Sequence, residues 1–322
     1  VRKQFIRDLK VGDAVQSQFL VTEKALVAFS QPGRAGEQFL RMQLADISGS
    51  IRAVAWDKGP ELAARFRTGE VVRVTGEVGE YRGPQLLVFT LEAVPADQVE
   101  KRHFQRTSGR PKSQMMDELA QVTGMVSNPY LSRLLAEFFN DRELLSLYTE
   151  APAARTVHHN YLGGLLEHSL EVAALCRHFV NSYPDLDSSL LYCGALLHDA
   201  GKIWEYEFSG LSIELTTRGR LIGHIAIGKE MIDERAARVD GFPPGLLMEL
   251  NHMVLSHHGQ KEWGSPEVPK TFTAFALFHA DLVSARLNQF YQAAGRGGSA
   301  DGWTEWDRLL DRSIFTGFAE GL

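Results

Sequence analysis

Apolar and polar positions alternate along residues 39–47, FLRMQLADI, where Leu40, Met42 and Leu44 are separated by Arg41 and Gln43. A period of two buries one face and predicts a strand. Ser48-Gly49-Ser50 then turns the chain into IRAVAW (51–56), so the pair reads as a hairpin. DAVQSQFLVTEKALVAF (13–29) supplies a strand ahead of it, and EVVRVTGEV (70–78) and PQLLVFTLEAV (84–94) supply two behind. GPELAARF (59–66) reads as a short helix between the third and fourth strands.

From about residue 113 the spacing becomes helical. MMDELAQVTGMV and PYLSRLLAEFFNDRELLSLY are amphipathic, and further helices are expected at 162–182, 188–200, 222–238, 244–257 and 271–293. Pro243-Pro244 and Gly259 punctuate the start and end of one of them. The expected fold class is therefore multidomain, α and β. Five strands with a helix after the third is the order of an OB-fold β-barrel, and an all-α helical bundle follows it. The expected boundaries are 1–98 for the barrel, 99–150 for a basic linker with connecting helices, and 151–322 for the bundle. The pattern leaves open whether helices 113–150 join the bundle.

Composition adds little to this until charge is divided along the chain. The 322 residues carry a net charge of −6, which argues against a generally basic nucleic-acid binder. Residues 1–100 hold 13 basic and 13 acidic side chains, whereas KRHFQRTSGRPK (101–112) holds five basic and no acidic ones. The remainder holds 16 basic and 27 acidic. An acidic region suits cations, and a basic connector suits a polyanion or simply solvent. Cys176 and Cys193 lie in apolar helical context and read as buried free thiols, which fits a reducing cytoplasm. No stretch is apolar enough to span a bilayer, and VRKQFIRDLK lacks the apolar core of a signal peptide.

Candidate chemistry concentrates after residue 157, where ten of the eleven histidines fall. LLHDAGK (196–202) ends an apolar helix in His198, Asp199 and Lys202. His168 shares its helical face with Gly164, Leu165, Val172 and Leu175, and Asp281 shares its face with Leu277, Phe278 and Ala285. A carboxylate buried on such a face needs a cation or close hydrogen bonds. A single buried histidine is an ordinary core residue. Together with His224, His257 and His258, however, these groups suit a first-row divalent metal: Mn, Fe, Zn, Co or Ni. Asp199 can bridge two ions. Lys202, four residues from His198, returns to the same side and is placed to meet a phosphate oxygen.

The arrangement of His168, the His198–Asp199 pair and Asp281 resembles the H…HD…D pattern of HD-domain metal-dependent phosphohydrolases. HHNYLGGLLEHSLEV (158–172), LLHDAGK, LIGHIAIGKEMI (221–232), LSHHGQKEWGSPEVPKT (255–271) and HADLVSARL (279–287) resemble more narrowly the YhaM family of 3′–5′ exoribonucleases. That family has an OB-fold followed by an HD domain, the order expected here. The resemblance implies a first metal held by His168, His198, Asp199 and Asp281, and a second held by His224, His257 and His258 with Asp199 bridging. It further implies manganese as the first choice of metal, with Asp199 and Lys202 as the expected catalytic pair. It implies that Lys202 binds substrate phosphate. His158 and His159 line the substrate channel or else start a helix. GQKEWGSPEVP after His258 lacks the Gly-Tyr-Pro signature of the cyclic-di-GMP phosphodiesterase branch.

The expected activity is 3′–5′ hydrolysis of single-stranded RNA, with single-stranded DNA as a further substrate. Arg41, Arg52, Trp56, Arg73, Tyr81 and Arg82 are the candidate contacts on the OB-fold, although Trp56 and Tyr81 equally fit core or loop packing. An HD phosphohydrolase of nucleotides or other small phosphorylated molecules, with the OB-fold as a regulatory module, is the alternative. A binding protein with an inactive site is the third reading, disfavoured by the complete ligand set. A homo-oligomer is left open.

Overall fold

The computed structural model describes residues 3–29, 32–34, 36–155, 159–208, 213–295 and 301–317. They form two compact units, one of residues up to Arg106 and one from Thr107 onward.

In the first unit, alternation produces strands β1 (Ala14–Ala28), β2 (Gln38–Asp46), β3 (Gly49–Ala55), β4 (Val71–Glu80) and β5 (Pro84–Ala93), with helix α1 (Gly59–Ala63) after β3. The strands close into a barrel in the order β1-β2-β3-β5-β4. The register pairs Leu40 with Ala55 and Leu44 with Ile51, so both strands of the β2–β3 hairpin turn the same parity inward. Phe19, Leu40, Leu44, Val72, Val74 and Leu86 fill the interior with no exposed surface. Each such side chain contributes roughly 1.5–3 kcal/mol through burial. Arg41 pairs with Val54 in the opposite phase and faces solvent. The expected five-stranded barrel with its intervening helix is present.

The second unit is helical: α2 (Lys112–Gly124), α3 (Pro129–Phe139), α4 (Arg142–Glu150), α5 (Gly164–Ser182), α6 (Ser188–Leu197), α7 (Lys202–Glu205), α8 (Thr217–Ile222), α9 (His224–Ala236), α10 (Pro244–Ser256) and α11 (Phe272–Ala294). Side chains of Asn128, Asp141, Asp187, Thr216 and Thr271 cap α3, α4, α6, α8 and α11, satisfying amide groups that the first turn leaves free. From Ser189 to Leu197 helix α6 is buried on every side, and its residues from Leu190 onward are almost all apolar. Leu131, Leu134, Leu135, Phe138 and Tyr148 of α3 and α4 join the same core as α5 and α6, so helices 112–150 pack into this unit. Tyr148 Oη donates to Leu196 O at 2.7 Å and fixes the end of α6. A two-residue hairpin, β6 (Tyr206–Glu207) with β7 (Glu214–Leu215), interrupts the helices and is too short to show a period in sequence. Cys176 and Cys193 are buried free thiols. Among the described residues, no helix is long and apolar enough to cross a membrane.

Candidate functional site

Helix ends converge on one point of the second unit. His198 caps the C-terminus of α6 and His257 that of α10, Lys202 begins α7, and His224 begins α9. His168 comes from the second turn of α5 and Asp281 from the middle of α11. The last carbonyls of a helix have no amide partner within it. His198 Nδ1 donates to Ala195 O at 3.0 Å and His257 Nδ1 to Val254 O at 2.7 Å, each three residues back. His258 Nδ1 donates to Trp263 O at 3.3 Å. His224 Nδ1 donates to Glu205 Oε1 at 3.1 Å. His168 Nδ1 donates to Ser284 Oγ at 3.0 Å, and that hydroxyl donates to Glu171 Oε2 at 2.7 Å. A ring whose Nδ1 carries the proton has its lone pair on Nε2. All five rings are therefore set for ligation through Nε2.

Two groups form, His168 with His198 and Asp281, and His224 with His257 and His258; within each, the ligand atoms lie within 4.8 Å of one another. Asp199 stands between them. Its Oδ2 is 3.6 Å from His168 Nε2 and 3.5 Å from His198 Nε2, and its Oδ1 is 3.5 Å from both His224 Nε2 and His257 Nε2. Asp281 Oδ1 lies 3.0 Å from His168 Nε2.

Two observations show that this donor set fits divalent cations. Asp199 Oδ1, His224 Nε2 and His257 Nε2 are buried and lack hydrogen-bond partners among the described residues, which is costly unless a cation fills the space they face. His168 Nε2 and His198 Nε2 come within 3.3 Å of each other, with Asp281 Oδ1 3.0 Å from the first and Asp199 Oδ2 3.5 Å from the second, so ring nitrogens and carboxylates crowd one space. Imidazole and carboxylate donors together suit Mn, Fe, Co, Ni or Zn.

The electrostatics follow from burial. Burial would raise the Asp199 carboxyl, but Lys202 and His198 hold it well below the usual range. Asp281 is likewise kept ionised against burial by His168, His198 and His257. Burial lowers His168 and His257. It brings His258 down to about 3, helped by His257 and His224. His198 alone of the four is raised, because Asp199 and Asp281 outweigh its burial.

Lys202 is buried, with Nζ 2.5 Å from Asp199 Oδ2. His159 is fully buried, with Nε2 3.3 Å from Glu171 Oε2 and its ring centroid 5.2 Å from that of His168. His158 lies outside the described residues. In the first unit Arg41 and Arg73 are exposed. Trp56 is 44% exposed and packs on Phe39 (centroids 4.7 Å) and Phe29 (6.0 Å), while Arg34 lies over Phe29. Arg52 Nη2 donates to the carbonyls of Tyr81 and Arg82 and so ties down the β4–β5 turn. Tyr81 is 61% exposed beside the Arg82 guanidinium.

Sequence reasoning missed the supporting groups Glu171, Ser284 and Glu205, and the aromatic neighbours Phe29 and Phe39. Glu171 is three residues after His168, and Ser284 three after Asp281; that shared-face spacing was the available signal. Glu205 offered no such spacing to His224.

Residues 165–286 match the family model for the HD domain, and residues 21–94 match that for an OB-fold nucleic acid binding domain. A model described as a helicase matches residues 103–183. The chain nevertheless contains no G-x-x-x-x-G-K-[ST] nucleotide loop. A 3′–5′ exoribonuclease YhaM of Halalkalibacterium halodurans is 33% identical over 290 residues, covering 89% of this chain and 88% of that protein. One from Shouchella clausii is 32% identical over 295 residues, covering 90% and 89%.

Proposed function

Because the chain belongs to the YhaM family of 3′–5′ exoribonucleases, we infer that it is a metal-dependent phosphodiesterase removing nucleotides from the 3′ end of single-stranded RNA. The observation that carries this reading is Asp199, whose two oxygens face two separate histidine clusters. His168, His198, Asp199 Oδ2 and Asp281 would hold one divalent ion. His224, His257, His258 and Asp199 Oδ1 would hold the second. Manganese is the first candidate for both.

Bound divalent ions acidify a water molecule and neutralise charge building on phosphoryl oxygens. The protein supplies everything that aims this chemistry. Asp199 fixes the spacing of the two positions, and the pinned Nδ1 atoms hold each Nε2 in line. Lys202 orients Asp199 through Oδ2 and presents its remaining protons to a substrate phosphate oxygen. His159, buried behind His168, supports the Glu171 side of the centre in this reading. The OB-fold contributes single-strand binding, with bases stacking on Trp56 and Tyr81 and phosphates meeting Arg41, Arg73 and Arg82. Arg52 acts there by holding the turn that carries Tyr81. Two buried thiols favour a reducing cytoplasm.

The test is incubation of manganese-loaded protein with 5′-labelled single-stranded RNA, single-stranded DNA and mononucleotides. A ladder of progressively shortened RNA is expected, and Asp199→Ala abolishes it. Turnover of mononucleotides with RNA left intact would instead establish a small-molecule phosphohydrolase, and full activity in Asp199→Ala would overturn the metal assignment.

A further inference from the structure

The two metal positions are supported differently, and the difference points to one residue. Around His168, His198 and Asp281 stand two carboxylates, Asp199 and Asp281, one of which belongs to that position alone. The group of His224, His257 and His258 offers three imidazoles and only the shared oxygen of Asp199. A divalent ion in this partly buried second position would have fewer negative charges around it than one in the first.

Glu205 stands directly behind that second position. Its residue is 7% exposed, and its Oε1 accepts two hydrogen bonds from the same histidine. One comes from His224 Nδ1 at 3.1 Å and the other from the His224 backbone N–H at 2.9 Å. The amide is the first of helix α9 and has no partner within the helix, so the carboxylate also caps α9. Oε1 lies on the Nδ1 side of the ring, whereas Asp199 Oδ1 lies 3.5 Å from Nε2 on the other. Glu205 is thus placed to act through the ring rather than as a ligand.

We propose that Glu205 is the positioning residue of the second metal position, setting its affinity by fixing the His224 rotamer and raising the basicity of Nε2. This rests on the two-ion reading given above. Its neighbours on the chain reinforce the placement. Glu205 O accepts from Thr216 N at 2.9 Å, and Thr216 Oγ1 donates to Trp204 O at 2.8 Å. The base of the β6–β7 hairpin therefore locks the main chain on which the carboxylate is mounted.

The experiment is a titration of the metal-free full chain with Mn(II) alone, followed by calorimetry and by electron paramagnetic resonance. Wild type should take up two ions, with a spin-coupled pair signal appearing as the second enters. Glu205→Gln keeps volume and an acceptor oxygen but loses the charge. Removing an outer-shell partner of a ligating histidine typically weakens binding by about 10–100-fold. In Glu205→Gln the second dissociation constant should rise by about tenfold and in Glu205→Ala by about a hundredfold, the first being unchanged in both. The coupled signal should then fade at two equivalents. If Glu205→Gln binds its second ion with wild-type affinity, Glu205 is not the positioning residue, while the two-ion reading survives. If wild type binds a single ion, the two-ion reading itself falls. Should Glu205→Ala fail to fold, losing both ions and its cooperative melt, Glu205→Gln alone decides.

Discussion

At the scale of single residues, five imidazoles present the same nitrogen for different local reasons. Two use a helix-end carbonyl three residues back, one uses a loop carbonyl, and two use side chains. Burial keeps most of these rings neutral, and this predicts an acid-sensitive metal-free state. His258 falls from 6.5 to about 3 on folding, because burial and the facing His257 and His224 oppose its charge. The unfolded chain takes up a proton near 6.5 that the folded one refuses. The stability due to this ring is therefore complete above 6.5 and is lost as pH falls towards 3. His168 and His257 shift in the same direction, and Asp199 and Asp281, also lowered, add stability that disappears at still lower pH. Only His198 is raised, so its contribution is present in acid and is lost as pH rises. Thermal melts of chelator-stripped protein should thus show a falling Tm below pH 6.5, with a shallower fall in His258→Asn. An identical slope in the variant would show that His258 is not held neutral. The candidate ligand groups that the structure brings together could be picked out in sequence because their chemistry is carried by residue type. Their Nδ1 partners were harder to read: spacing puts Ser284 on the face of Asp281, but it does not name His168, 116 residues away, as the ring that meets it.

Elements explain where such residues can meet. The barrel strands were legible because period-two alternation and inward packing are the same fact, seen along the chain and in space. Helices α5, α6, α9, α10 and α11 were legible for the corresponding reason. What sequence left open was the placement of α2–α4, since an apolar face announces burial without naming its partner. The contact of α7 with α9 was equally hidden, and it depends on one glycine. A Cβ on Gly201 would lie 2.0 Å from His224 O and 2.6 Å from Gly228 N, both backbone atoms that cannot rotate aside. The glycine of LLHDAGK therefore admits the start of α9 to the centre. Gly201→Ala should force the two segments apart, destabilising the unit by about 1–3 kcal/mol, as overpacking does. It should also displace His224 and reduce manganese stoichiometry from two to one. An unchanged melting temperature together with unchanged stoichiometry would refute this account of the glycine.

For the whole molecule, charge frames how a polyanion is handled. The region from residue 113 onward carries 27 acidic against 16 basic side chains, so in the two-ion reading attraction to RNA there comes from the divalent ions and Lys202 rather than from its net field. The first hundred residues are balanced at 13 and 13 and offer no net field either. Apart from the five basic residues of 101–112, affinity for a long single strand then rests on local contacts, namely stacking on exposed aromatics and a few arginines. Trp56 is the strongest stacking candidate, because Phe39 and Phe29 brace one side of it while 44% of its surface stays open. Preorganisation of that kind lowers the ordering cost when a base docks. A base–aromatic stack is worth about 1–3 kcal/mol, or roughly 5–150-fold in affinity. Trp56→Ala should raise KM for long single-stranded RNA within that range, leave kcat unchanged, and leave dinucleotide hydrolysis untouched. Trp56→Phe should recover most of the loss, which separates stacking from a folding defect. An equal fall in kcat on long and short substrates would instead mean that Trp56 serves the barrel's packing, and that the strand is held elsewhere.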